Sequence, residues 1–440
     1  MSATTDSLAA YLDASPSPFH AVATSAARLA ALGFQQLDER EPWGTIEHGT
    51  EAQGIVAQGM AAQGMAARGM VVRGGALVAW QTGSGALTDG FRIVGAHTDS
   101  PGLRVKPQPD CGVLGWRQLG VEVYGGALLN SWLDRDLGLA GRVVTRDGAS
   151  HLVVVNEPIA RVPQLAIHLD REVSDKGLLL DKQQHLTPVW GTGDPAAGAF
   201  GEWIAGRAEI APGELAGWDL QLFDLTPAGL LGVDQTLFAS GRLDNQLSCW
   251  AATEALASTA DRPGKATAIV ALFDHEEVGS ESLSGASGPF LNVVIERLAL
   301  AAGASGDALH RAMAASSCVS SDNAHAVHPN YSERHEPGHR PMVNCGPAIK
   351  VNANQRYATS AVTAAMFREC CEQAQVPWQS FVSRNNMPCG STIGPITATR
   401  LGIATVDVGA PQLSMHSARE LCGADDPGYL ARALATYFAS

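Results

Sequence analysis

Two histidines and a set of carboxylates offer the chemistry in this sequence. His97 and Asp99 stand in Gly95-Ala96-His97-Thr98-Asp99, and Asp244 in Gly241-Arg242-Leu243-Asp244-Asn245. Glu276 and Glu277 follow Asp274-His275, Asp322 follows Ser321, and His416 lies in Met415-His416-Ser417. Imidazole nitrogen combined with carboxylate oxygen suits zinc, and also cobalt or manganese. Two divalent metal ions a few ångströms apart need one ligand that touches both, and an aspartate such as Asp244 can give one oxygen to each. His97 with Asp322, and Glu277 with His416, then complete two equivalent sites. Charge agrees with this. Two divalent cations are neutralised by the carboxylates of Asp244, Glu277 and Asp322 together with one bridging hydroxide, which forms because bound metal lowers the pKa of water to about 7.

Adjacent loop residues do not easily bind one metal face together. Glu277 is therefore expected as the ligand and Glu276 as the general base beside the bridging water. Asp99, two residues after His97, can hold the far nitrogen of that ring. Each residue alone is weak evidence, because strand-end histidines and paired glutamates are common; the combination carries the reading. His335-Glu336-Pro337-Gly338-His339 satisfies the His-Glu-x-x-His pattern, but Pro337 and Gly338 would break the helix that such a site needs. The sequence contains neither a Gly-x-Ser-x-Gly elbow nor a phosphate-binding Gly-x-x-x-x-Gly-Lys-Ser/Thr loop.

Strand-like runs lead into these residues. Phe91–Ala96 precedes His97, Ala266–Phe273 precedes the Glu pair, Cys318–Ser320 precedes Asp322, and Ile403–Val408 leads to the loop with His416. Helical patterns intervene at Asp244–Ala257 and Ser360–Ala374. An earlier one runs from Phe19 to Leu32, after the Ser15-Pro16-Ser17-Pro18 cap and before Gly33. The alternation predicts an α/β fold with a catalytic sheet covered by helices and its chemistry at the carboxyl ends of the strands. Residues 103–236 instead show many short β-rich pieces. They predict an inserted β-rich domain splitting a catalytic unit made of residues 1–102 and 237–440. Within 51–70, Gly recurs every fifth residue, a period of neither helix nor strand, and is expected to form a low-complexity surface insertion.

The 440 residues include 30 basic and 44 acidic side chains, a net charge of −14. Such a chain repels nucleic acid. With 45% apolar and 17% charged residues it can bury a core, and no apolar run reaches the ~18 residues of a membrane span. The first residues lack the basic and apolar pattern of an export signal. The eight cysteines form no Cys-x-x-Cys. Reduced thiols in a cytoplasmic protein are expected.

The motifs Ala14-Ser15-Pro16-Ser17-Pro18-Phe19-His20, Gly95 to Pro101, Gly241 to Asn245, Asp274-His275-Glu276-Glu277-Val278-Gly279-Ser280, Asp322 to Asn330 and Met415 to Glu420 together resemble the aspartyl aminopeptidase family of dinuclear zinc exopeptidases. The resemblance implies removal of N-terminal aspartate or glutamate from peptides with a free N-terminus. It also implies a dimerisation role for the inserted domain and a tetrahedral dodecamer built from dimers. Carried over by motif, the ligands fall on His97, Asp244, Glu277, Asp322 and His416, the base on Glu276 and the His-orienting carboxylate on Asp99. The resemblance further assigns Lys350 to a substrate contact and makes His168 of the inserted domain reach a neighbouring subunit's active site. His325 is the next pocket candidate. Without the resemblance, Lys350 reads as a surface lysine and His168 as a strand histidine. The alternatives are a broad or neutral N-terminal preference, a catalytically silent assembly protein, and a two-metal deacylase or carboxypeptidase.

Overall fold

A computed structural model of the chain describes residues 3–43 and 66–440. Among these residues, nine strands form the main sheet. Their order is Gln35–Gln36, Arg68–Arg73, Ala76–Gln81, Thr267–Phe273, Phe91–His97, Ser317–Ser321, Ala404–Gly409, Ala348–Val351 and Gln379–Val382. The four from Thr267–Phe273 to Ala404–Gly409 run parallel. Every residue of Thr267–Phe273 is buried, as a strand covered on both faces requires. Its side chains alternate between two cores. Ala268, Val270 and Leu272 pack with the helices Pro18–Ala30, Leu243–Ser258, Ala361–Gln373 and Asp426–Ala439. Ile269, Ala271 and Phe273 pack with Phe290–Ala301 and Ile393–Leu401.

The expected first helix is present as Pro18–Ala30, with Ser17 accepting the N–H of His20 at its cap. A helix the sequence reading missed, Ala3–Asp13, comes before it and buries Leu8, Tyr11 and Leu12. The pattern at 244–257 forms the helix Leu243–Ser258, although Asp244 and Asn245 leave helical geometry. Ser360 caps Ala361–Gln373.

A six-stranded sheet draws on residues 102–224, in the order Ser150–Ala160, Leu137–Thr145, Leu215–Asp224, Gly102–Cys111, Trp116–Tyr124 and Val189–Thr192. All its pairs are antiparallel. It has its own core, including Leu103, Leu119, Trp132, Leu139, Phe200 and Leu222. A helix, Ala199–Arg207, contributes Phe200 and Ile204.

A third sheet orders Gly229–Leu231, Leu237–Ser240, Glu420–Gly423, Pro411–Leu413 and Ala324–His325. It ties the chain entering Asp244 to the chain leaving His416. The expected boundary at 236–237 falls inside this sheet, between two strands that pair with each other.

The pentapeptide insertion lies outside the described residues as far as residue 65. Its last repeats enter the strand Arg68–Arg73. There Gly69 lies under the ring of Trp80: a Cβ at this position would be 2.2 Å from a ring carbon. The repeat glycine that reads as a strand breaker is here the residue that lets the two strands approach.

Candidate metal centre

The parallel register aligns the strand ends that carry the candidate residues. Phe273 pairs with His97 across adjacent strands, and Ser321 pairs with Val408. Glu276 and Glu277 form a 3-10 turn after Phe273, and Asp322 follows Ser321 directly. Asn245 Nδ2 donates to the Ser321 oxygen at 2.8 Å and Asn323 Nδ2 to the Leu243 oxygen at 2.7 Å, locking the Asp244 and Asp322 segments together. His416 lies in the turn between Pro411–Leu413 and Glu420–Gly423. Arg242, His275 and His416 all have left-handed backbones, with φ of 61°, 64° and 68°. Non-glycine residues in that region cluster where surrounding structure enforces them, often at functional sites.

The five expected ligands converge. His97 Nε2 is 3.4 Å from Asp244 Oδ1 and 3.7 Å from Asp322 Oδ1. His416 Nε2 is 3.3 Å from Asp244 Oδ2 and 3.3 Å from Glu277 Oε1. The two oxygens of Asp244 thus face two different histidines. Each trio offers donor atoms within 4.8 Å of one another, and His97, Glu276 and Glu277 form a further such group. Among the described residues, buried Asp244 Oδ1 has no hydrogen-bond partner. A buried carboxylate oxygen without a donor fits a cation. Both imidazoles are turned the right way. His97 Nδ1 donates to the Asp99 main-chain oxygen at 3.0 Å and His416 Nδ1 to the Gly126 oxygen at 3.1 Å, which leaves both Nε2 lone pairs for a metal.

Asp99 does more than hold the ring. Its carboxylate is 3.5 Å from His97 Nδ1, beside the main-chain oxygen at 3.0 Å. The carboxylate also accepts the backbone N–H of Glu276 at 3.1 Å and of Glu277 at 3.1 Å, and the Tyr124 hydroxyl at 2.7 Å. Asp99 therefore holds the Glu pair.

Without cations the cluster is an electrostatic compromise. Burial opposes a charged His97, but Asp244, Asp322 and Asp99 outweigh it and raise its pKa well above the ordinary value. Burial likewise opposes the His416 cation, yet Asp244 and Glu277 raise its pKa to about 10. Burial also opposes ionised Asp244, whose pKa is nevertheless lowered by His416 and His97. Burial, then Asp244, raises Glu277 well above the usual carboxylate range. Burial raises Glu276 to about 7, with His97 opposing and Asp322, Asp99 and Asp244 adding to the rise.

Glu420, quoted in the last motif without a role, is buried and joins the site. Its carboxylate accepts the backbone N–H of Asp244 at 2.9 Å and of His416 at 2.6 Å. Its place in the motif Met415 to Glu420 marks it as near the site but not what it does there.

A cavity of about 410 Å³ opens onto the cluster, lined also by Lys350, His325, Tyr357, Phe381 and Thr392. Lys350 is no surface lysine. It is 2% exposed, and its Nζ donates to the Asn323 oxygen at 2.9 Å and lies 3.4 Å from Asp322 Oδ2. His325 is solvent-exposed at the cavity wall; crowding by protein, then Lys350, lowers its pKa. His168 is exposed in a turn, not a strand, and is absent from this cavity. His335 and His339 lie outside any helix: His335 Nε2 accepts the His328 N–H and His339 pairs with Glu336.

Known proteins share sequence and fold with this chain. The family model described as aminopeptidase I zinc metalloprotease (M18) matches residues 11–438. A probable M18 family aminopeptidase 2 of Streptomyces coelicolor is 54% identical, over 98% of this chain and 97% of its own. Its counterpart from Mycobacterium tuberculosis strain H37Rv is 46% identical, over 100% and 99%. Among solved structures, a chain of the Ape4 and Nbr1 complex superposes with a TM-score of 0.91 at 35% identity, covering 100% of this chain and 86% of that one. The S. cerevisiae mApe1 dodecamer superposes with a TM-score of 0.83 at 26% identity, covering 99% and 96%. No helix among the described residues is long and apolar enough to cross a membrane. The chain belongs to the M18 family of zinc metalloproteases, and is an aminopeptidase with a helix-covered α/β sheet beside a β-rich sheet.

Proposed function

We propose that this aminopeptidase removes N-terminal aspartate and glutamate from peptides, using two divalent ions, zinc in the first instance with cobalt or manganese as substitutes. Asp244 would bridge them, His97 and Asp322 would hold one, and Glu277 and His416 the other. Bound there, the ions would polarise the scissile carbonyl and acidify the attacking water. Glu276 takes the proton from that water and delivers it to the leaving nitrogen. Its carboxylate lies in one cluster with His97 and Glu277, within reach of a water held there. Asp99 fixes the turn that carries Glu276. The substrate's free amino terminus lies against the acidic cluster, and its first side chain enters the cavity toward Lys350, with His325 beside it.

The observation that carries the acidic preference is the buried ammonium of Lys350 in the cavity wall. A cation removed from water favours a carboxylate at contact even though the whole chain is acidic. One observation favours a broader preference: Lys350 is already engaged by Asn323 and Asp322, so part of its charge is spoken for. Comparing kcat/KM on Asp-, Glu- and Leu-terminated peptides decides between the two readings. The acidic reading expects the first two to exceed the third by about tenfold or more.

The chain is further proposed to work in the cytoplasm as a tetrahedral dodecamer of dimers formed through residues 103–236, with His168 reaching a neighbouring active site. Eight free thiols fit a reducing compartment. The turn with His168 is flanked by Leu165, Ile167 and Leu169, at 58%, 52% and 75% exposure. Such an apolar patch suits burial between subunits.

A further inference from the structure

The chain leaving the inserted sheet crosses the metal centre before it turns back. Trp116–Tyr124 ends at Tyr124, which is 8% exposed. Its hydroxyl donates to Asp99 Oδ2 at 2.7 Å, and that oxygen also accepts the Glu277 N–H at 3.1 Å. The Arg104 guanidinium lies over the Tyr124 ring at 3.5 Å and fixes its plane from the neighbouring strand. Gly125 and Gly126 come next. Gly125 has a φ of +65° and passes so close that a Cβ would be 3.1 Å from Glu277 Cβ. A Cβ on Gly126 would be 3.3 Å from His416 Nδ1. The Gly126 oxygen accepts that nitrogen's proton, and the Leu128 N–H donates to the His416 oxygen at 2.9 Å. The strap then ends in the 3-10 turn Leu129–Trp132, where Ser131 Oγ accepts the Ala418 N–H at 2.9 Å and Trp132 is buried in the core of the inserted sheet.

We propose that residues 124–128 are a positioning strap through which the inserted sheet completes the metal centre, with Tyr124 acting through Asp99 on the Glu276–Glu277 turn. This rests on the metal-site reading above. Both loops that supply Glu277 and His416 are gripped by the same five residues. Both ends of the strap are anchored in the inserted sheet. A shift of that sheet therefore moves two ligands and the general base together, and geometry imposed on the sheet by subunit assembly is transmitted to the site.

The test uses the full-length protein and three variants, Tyr124→Phe, Gly126→Ala and Asp244→Ala. Zinc is removed, and its affinity is measured by competition with a chromogenic chelator; kcat and KM are measured on the reloaded protein. Tyr124→Phe removes one hydroxyl and keeps the ring. It should lower zinc affinity or kcat by about tenfold to a hundredfold with KM little changed, as loss of an outer partner does. Gly126→Ala should weaken zinc binding by displacing His416. Unchanged zinc affinity and unchanged kcat in Tyr124→Phe would overturn the strap. If Tyr124→Phe is less stable, its melting temperature with and without zinc is compared with that of the parent: an unchanged zinc-induced shift, with kcat unchanged, also overturns it. Asp244→Ala separates the two readings. Should zinc binding survive that change, the metal site itself is misassigned; should Asp244→Ala lose zinc while Tyr124→Phe binds and turns over normally, only the strap fails.

Discussion

His97 is held by the main chain of Asp99, with Nδ1 at 3.0 Å from its carbonyl oxygen and 3.5 Å from its carboxylate. The shorter contact, and the hydrogen bond, is thus to the main chain. What depends on the Asp99 side chain is the turn of the two glutamates, whose N–H groups both end on that carboxylate.

Asp99→Asn accordingly should leave the His97 ring in place and disturb the Glu pair. An amide offers one accepting oxygen where the carboxylate offered two, so one glutamate N–H faces an NH₂ donor. The expected outcome is a fall in kcat of about tenfold to a hundredfold, of the size seen when an outer partner is lost. Zinc analysis should still find metal at the His97–Asp322 side. Loss of that metal would show that the carboxylate, rather than the carbonyl, orients the ring.

Glu276→Gln tests the division of labour in the pair. Gln keeps shape and hydrogen bonding but takes up no proton at neutral pH. Turnover should drop by about 10²–10⁴-fold with metal content intact. The geometry makes this a live question, since Glu276 also falls within 4.8 Å in a group with His97 and Glu277. Release of metal from the variant would make Glu276 a ligand.

The metal-free protein should take up zinc with release of protons. Despite burial, Asp244 and its neighbouring carboxylates raise His97 well above its ordinary pKa and His416 to about 10. Both rings therefore hold protons at neutral pH, and a ligand must be neutral to bind. Apparent zinc affinity should thus rise with pH, by about tenfold or more per unit between about pH 6 and 8. Titrations in buffers of different ionisation enthalpy give the proton count directly. An affinity flat over that range would mean that the histidines are already neutral in the metal-free protein, and the electrostatic account of the cluster would be wrong.

The ligands could be read from the sequence because parallel strands place their carboxyl ends on one edge. His97 closes the apolar strand Phe91–His97, Glu277 comes four residues after the apolar strand Thr267–Phe273, and Asp322 directly follows the short strand Ser317–Ser321. Glu420 and Tyr124 could not be read in this way. Glu420 works by accepting two main-chain N–H groups, and no residue pattern encodes which amides a carboxylate will meet. Tyr124 belongs to a sheet whose own core gives no hint that its end reaches Asp99. The helix Ala3–Asp13 lacks the Ser-Pro cap signal that marks Pro18–Ala30 in the sequence. Lys350 reads as a surface lysine from its residue type alone, whereas its strand, Ala348–Val351, is bordered by strands on both sides and its side chain is buried.

Lys350 is the residue on which substrate choice turns. Its ammonium is buried in the cavity wall, 2.9 Å from the Asn323 oxygen and 3.4 Å from Asp322 Oδ2. Two roles are open to a cation so placed: meeting a substrate carboxylate, or steadying a metal ligand. Lys350→Met keeps much of the side-chain volume and removes the charge. A charge-assisted hydrogen bond to substrate contributes roughly 1.5–3 kcal/mol, so kcat/KM on Asp-terminated peptides should fall by about ten- to hundredfold. Leu- or Ala-terminated peptides should be little affected or should improve, because an apolar wall suits them better. Zinc content measured on the same preparation keeps the roles apart. An equal loss on acidic and neutral substrates, accompanied by loss of zinc, would make Lys350 a support for Asp322. The source of acid selectivity would then lie with His325 in the same cavity wall or His168 from a neighbouring subunit.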